Sequence, residues 1–132
     1  MSKKKVLVIE DDGDMRLGYH ILLRAHGYDT AFAGDSLAAI SEARKQQPDV
    51  IILDLGLPAG DGFVVLERFR SNMNFTLIPV IVVSGRESHG NRDRALKAGA
   101  RAYLQKPWND HELLAIIGHL LGQADPSVAQ PA

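Results

Sequence analysis

Residues 50 to 54 read Val50-Ile51-Ile52-Leu53-Asp54, and no other stretch narrows the possible folds of this chain as much. Four apolar residues, three of them β-branched, run directly into one carboxylate. Leu55-Gly56-Leu57-Pro58-Ala59-Gly60-Asp61-Gly62 follows as a loop rich in turn residues. An unbroken apolar run of this length, closed by Gly and Pro, describes a strand covered on both faces. Such strands belong to parallel sheets, whose ligands sit in the crevice beyond the carboxyl ends of the strands. Asp54 therefore falls at the mouth of that crevice. Taken alone, it reads equally well as a solvated acid ending a core strand.

The rest of the chain repeats the pattern. Val6-Leu7-Val8-Ile9 is a second apolar strand and runs into Glu10, Asp11 and Asp12. Asp14 is read as the N-cap of a helix carrying Met15, Leu17, Ile21, Leu22 and Leu23, closed by Gly27. Tyr28 to Ala33 is a shorter strand, and Asp35 or Ser36 caps a helix with Leu37, Ala38, Ile40 and Ala43. After Gly62, the residues Phe63, Val64, Leu66 and Phe69 mark a third helix. Pro79-Val80-Ile81-Val82-Val83 is the fourth strand, with Ser84-Gly85 directly after it. A polar helix from about Gly90 to Lys97 has only Ala95, Leu96 and Ala98 to bury, which predicts weak packing. Ala102-Tyr103-Leu104 is a fifth strand followed by Gln105-Lys106-Pro107, and Asp110 starts the last helix. Alternating strands and helices predict an α/β fold with a doubly wound, five-stranded parallel sheet and five helices. Residues 1–122 are expected to form one domain, and 123–132, with two prolines and little to bury, a disordered tail or the start of a linker.

Composition excludes several functions. A net charge of −1 provides no bulk attraction to nucleic acid or anionic membrane. The absence of cysteine rules out disulfides and thiolate metal sites. Lys3-Lys4-Lys5 precedes an apolar run too short for a signal peptide or a membrane span, so a cytoplasmic location is expected. His20, His26, His89, His111 and His119 share no zinc spacing.

In one parallel sheet the strand ends lie side by side, so Glu10, Asp11, Asp54, the Ser84 hydroxyl and the Lys106 amine converge on one rim. Singly, each has an ordinary explanation: Glu10 and Asp11 as helix caps, Ser84 as a turn residue, Lys106 as a solvated lysine, Tyr103 as a packed strand aromatic. Jointly they describe an oxygen-only acidic site, which suits Mg²⁺ better than Zn²⁺. A phosphoryl group could rest against such a cation, with Lys106 and Ser84 satisfying its oxygens and Asp54 serving as an acyl-phosphate nucleophile.

With these residues the chain resembles the receiver domain of two-component response regulators over about residues 5 to 121. The motifs are Val-Ile-Glu-Asp-Asp, Leu-Asp-Leu-Gly-Leu-Pro-Ala-Gly-Asp-Gly, Val-Val-Ser-Gly, Lys-Ala-Gly-Ala and Leu-Gln-Lys-Pro. The resemblance implies a flavodoxin-like sheet of order 2-1-3-4-5. It implies that Asp54 accepts a phosphoryl group from a histidine kinase or histidine phosphotransfer protein. Asp11, Asp54 and the Gly56 backbone carbonyl would hold Mg²⁺ directly, and Glu10 mainly through water. Ser84 and Lys106 would contact the phosphoryl group, and Tyr103 would turn inward as Ser84 is drawn to it. The helix 4, strand 5 and helix 5 face would relay that change to a downstream protein or a covalently linked output domain, with a phosphorylation-dependent homodimer as one option. No other cofactor, no membrane and no direct nucleic-acid contact is implied, and its catalysis is limited to its own phosphorylation and dephosphorylation.

Several positions depart from the commonest pattern. Glu10 stands for a frequent Asp, Gly85 for a small Ala, and Trp108 for a more usual Phe, where core packing is expected. The resemblance implies that side chains at the positions of Gly56 and Arg86 tune attack of water on the phosphoryl group. A flavin carrier of the same topology would need a phosphate-cradling loop after strand one, where Glu10-Asp11-Asp12 would repel the phosphate, and a colourless purified protein would dismiss it. An aspartyl phosphatase would want a second Asp at position 56, where Gly stands. A receiver used only as a binding scaffold remains the alternative.

Overall fold

The computed structural model describes residues 3–57, 62–85 and 90–123. Loop residues 58–61, including Asp61, residues 86–89, including Arg86 and His89, and the expected tail from 124 lie outside the described residues. Strands β1 (Lys5–Ile9), β2 (Asp29–Ala33), β3 (Val50–Asp54), β4 (Val80–Ser84) and β5 (Ala102–Gln105) alternate with helices α1 (Gly13–Ala25), α2 (Ser36–Gln46), α3 (Gly62–Ser71), α4 (Asn91–Lys97) and α5 (Asp110–Leu120). All strand pairs are parallel and the sheet order is β2-β1-β3-β4-β5. The doubly wound order implied by the family resemblance is the order found.

The apolar runs earn their place by serving both faces. Leu7 and Ile9, Ile51 and Leu53, and Val80 and Val82 enter the core cluster that holds Ala39, Ala43, Val65, Leu66, Phe69 and Ala95 of α2, α3 and α4. Their neighbours Val6, Val8, Val50, Ile52, Ile81 and Val83 enter a second cluster with Tyr19 and Leu23 of α1 and Leu113 and Ile117 of α5. With both faces covered, a polar residue inside these strands would have no wet side to turn to.

Helix faces were less legible. On α1, Leu17 and Ile21 are 57% and 60% exposed, whereas Tyr19 and Leu23 are buried. Residues 19 and 23 share a stripe at helical spacing, and 17 and 21 lie around the cylinder from it. Leu37 and Val64 likewise point outward, leaving Ala39, Ala43 and Val65 to pack. The N-cap of α1 is Asp12, not Asp14: its carboxylate accepts from the backbone N–H groups of Asp14 and Met15. Asp14 falls in the first turn, where a negative charge still favours the helix dipole. Asp35 caps α2 and Asn109 caps α5.

Helix α4 buries Ala95 within its span, and Leu96 faces outward. Two arginines tie it to α3. The Arg94 guanidinium carbon stacks 3.7 Å from the Phe63 ring centroid, and Arg70 Nη1 donates to the Lys97 carbonyl at 3.1 Å.

Gly62 opens α3 against the backbone of Leu55. A Cβ there would lie 2.7 Å from Leu55 Cα and 2.9 Å from its carbonyl oxygen. Gly62→Ala is therefore expected to lower stability by about 1–3 kcal/mol, because backbone rather than a side chain must give way. A denaturant midpoint equal to that of the parent would refute this.

Candidate functional site

The sheet order places a topological switch between β1 and β3: the chain leaves β1 toward β2 on one side and reaches β3 on the other. Ligand crevices of open α/β sheets form at such a point. Glu10 follows β1, held by its backbone N–H on the Ala33 carbonyl at 2.9 Å, and Asp54 ends β3 in register with Val83. Both are almost fully buried, Glu10 at 2% and Asp54 at 4% exposure, while Asp11 projects from the loop into solvent. Carboxylate oxygens of Glu10, Asp11 and Asp54 lie within 4.8 Å of one another.

One ammonium faces the buried pair. Lys106 Nζ donates to Asp54 Oδ2 at 3.0 Å and to Glu10 Oε1 at 3.2 Å. It comes from the end of β5, where the Lys106 N–H bonds the Ser84 carbonyl at 2.8 Å and the Lys106–Pro107 peptide is cis. The Gly56 N–H donates to Asp54 Oδ1 at 2.9 Å, and the Asp12 N–H reaches Glu10 Oε2 at 3.3 Å. Ser84, 3% exposed, ends β4 on the same rim. All five rim residues read from strand ends thus come to one edge of the sheet.

The electrostatics follow from crowding. The Glu10 carboxyl is pushed up to about 7, by burial first, then by its hydrogen bond with Asp54 and the Asp54 charge; the Asp12 N–H and Lys106 offset this in part. For Lys106, burial works against the ammonium. The hydrogen bond and charge of Asp54, with those of Glu10, outweigh it and raise its pKa above the ordinary lysine value. A single cation shared by two buried carboxylates, with a third acid beside them, leaves net negative charge and oxygen donors only. Glu10, Asp11 and Asp54 are therefore positioned to bind a metal, and an oxygen donor set of this kind fits a hard divalent cation.

Two residues of this region escaped the sequence reading. Arg16 Nη1 donates to the Glu10 carbonyl at 2.8 Å and the Asp11 carbonyl at 2.9 Å, bracing the acidic loop from the first turns of α1. Its signal was an arginine one turn beyond an acid-rich loop. Tyr19 stacks on Trp108 with ring centroids 5.3 Å apart and 22° between planes, so Trp108 packs as expected. Tyr103 is half-buried against the α2–α3–α4 cluster, its hydroxyl buried without a hydrogen-bond partner among the described residues.

A family model of the response regulator receiver domain matches residues 6–118. The chain belongs to that family. Among curated relatives, the transcriptional regulatory protein PrrA of Mycobacterium tuberculosis is 37% identical over 121 residues, 92% of this chain and 51% of PrrA. The DNA-binding response regulator MtrA of Mycobacterium leprae is 30% identical over 128 residues, 97% of this chain and 56% of MtrA. The chain thus spans about half the length of the curated relatives it matches. Among solved structures, the receiver domain of a Pseudomonas aeruginosa sensor histidine kinase, with a magnesium ion coordinated in its active-site cleft, is 29% identical with a TM-score of 0.83. The match covers 92% of this chain and all of that one. The flavodoxin-like sheet described above is the receiver-domain sheet, and receiver domains of response regulators are signalling domains of two-component systems. Among the described residues, no helix of this receiver domain is long and apolar enough to cross a membrane.

Proposed function

We propose that this receiver domain accepts a phosphoryl group on Asp54 from a histidine kinase or histidine phosphotransfer protein. One observation carries the reading: a nearly buried carboxylate stands at the switch point, oriented by the Gly56 N–H and the Lys106 ammonium, with Glu10 and Asp11 within ligand distance of it. In the transfer, an Asp54 oxygen forms a bond to phosphorus as the phosphorus–nitrogen bond of a phosphohistidine breaks and the imidazole leaves with the electron pair. Asp11, Asp54 and the Gly56 carbonyl would hold Mg²⁺, with Glu10 acting mainly through water, and the ion would supply the positive charge that lets two anions approach. Lys106 exchanges part of its contact with Asp54 for a phosphoryl oxygen, and the Ser84 hydroxyl donates to another. Drawing Ser84 inward shifts the space beside Tyr103, and the α4–β5–α5 face carries the change to a protein partner or to an output domain beyond this chain. Residues 1–122 make up this unit. The setting is cytoplasmic.

The test is incubation of the whole chain with acetyl phosphate or beryllofluoride, with and without Mg²⁺. A single adduct that requires Mg²⁺ is expected, and Asp11→Asn should weaken its formation at least tenfold by removing a metal ligand. Adduct formation equal in the presence of a chelator would overturn the metal assignment. Ser84→Ala should still accept the phosphoryl group but lose most of the accompanying change in Tyr103 side-chain resonances. An undiminished change would overturn the coupling.

A further inference from the structure

The hydroxyl of Tyr19 takes no part in the phosphoryl transfer, yet its placement is specific. Tyr19 is 3% exposed on the inner stripe of α1, and its hydroxyl is buried with no hydrogen-bond partner among the described residues. A phenylalanine would fill the same ring site without burying an unsatisfied polar atom, so the hydroxyl lowers stability as the protein stands. The ring is held fast by its stack on Trp108. Tyr19 and Lys106 line one cleft of about 570 Å³ between α1 and the turn after β5. Lys106 is bonded to both buried acids of the rim. Burial first, then the charges of Glu10 and Asp54, raise the phenol's pKa, so it stays a neutral O–H, able to donate toward anions.

We propose that Tyr19 is a positioning residue of the acidic site, its hydroxyl donating a hydrogen bond to the oxygens gathered around Mg²⁺ beside Glu10 when the site is filled. The inference rests on the reading that Glu10, Asp11 and Asp54 hold Mg²⁺. It accounts for a polar atom kept in an apolar stripe. Bonds from beyond the ligands themselves orient carboxylates and tune how tightly they hold the ion, and their loss typically weakens binding tenfold or more. A phenol donating into an anionic shell makes a charge-assisted bond, the stronger kind.

The experiment titrates the whole chain with MgCl₂ by calorimetry, with the fluorescence of Trp108, the single tryptophan and the stacking partner of Tyr19, as a second readout. Tyr19→Phe keeps the ring and the stack. It is expected to bind Mg²⁺ about tenfold more weakly, with the melting temperature of the metal-free protein unchanged or higher. Tyr19→Leu should weaken binding to the same extent. Equal affinity in the parent and Tyr19→Phe would overturn the proposal while leaving the metal site standing. Weakening in Tyr19→Leu alone would also overturn it, assigning the effect to the ring. A parent protein that binds no Mg²⁺ would overturn the metal reading itself, and this inference with it.

Discussion

Asp54→Asn is expected to remain folded, to take up no phosphoryl group from any donor, and to be more stable than the parent near neutral pH without metal. The first result follows from removing the nucleophile; label on the variant equal to that on the parent would sink the assignment. The second follows from charge. Glu10 is raised from 4.5 to about 7 in the fold, by burial and then by Asp54. Between those values the folded protein binds more protons than the unfolded chain, so its stability falls as pH rises through this window. Asparagine removes the Asp54 charge, and Glu10 can then ionise with Lys106 as its partner. The gain at pH 7 should be on the order of 1–2 kcal/mol, and melting curves from pH 5 to 8 should flatten relative to the parent. A parent whose metal-free stability rises across that range would contradict the crowding described here.

Lys106→Met should produce effects of opposite sign on two properties. The ammonium is the partner of both buried carboxylates, at 3.0 and 3.2 Å. Its loss leaves their charges unpaired, which in a fully buried pair costs about 3–5 kcal/mol. The lysine side chain is 24% exposed, so water screens part of this and about 1–3 kcal/mol is expected at pH 8. The deficit should shrink toward pH 5, where Glu10 takes up a proton. Phosphorylation should slow by about a hundredfold, the usual cost of removing one donor to a developing charge. Mg²⁺ affinity should rise, since a cation competing for the same oxygens has gone. Tighter metal binding with slower phosphorylation separates a lysine that serves the phosphoryl group from one that merely holds the fold; Mg²⁺ affinity falling with the rate would reject this account.

The three central strands were legible because burial on both faces leaves no freedom in their composition. Val50, Ile51 and Ile52 serve two cores in turn, so every position is apolar, and the acid that ends the run stands out. Glu10, Asp54 and Ser84 were legible for the same reason, since each is the first polar group after such a strand, and Asp11 and Lys106 each follow one residue later. Helices present only one stripe, and more apolar residues were available on α1 and α2 than that stripe admits. Leu17, Ile21 and Leu37 compete on equal terms in sequence with Tyr19, Ala39 and Ala43, and only the distance to the sheet decides which face turns inward. Arg16 and Tyr19 act across space on a loop and a pocket, and spacing along one helix carries no record of that. The N-cap at Asp12 rather than Asp14 reflects a choice between neighbouring acids that backbone angles settle.

The two arginine contacts between α3 and α4 bear on how sharply this domain can respond. With a single buried alanine, α4 has little of its own to hold it. The stacking of Arg94 on Phe63 contributes about 0.5–1 kcal/mol for an exposed pair, and the Arg70 bond to the Lys97 carbonyl is of similar size. Turning a two-state element from nearly all off to nearly all on takes about 5.5 kcal/mol. The arginines are thus too weak to act as a lock. They act as a detent, biasing the resting position of α4 by roughly tenfold and yielding to any input that clears that threshold.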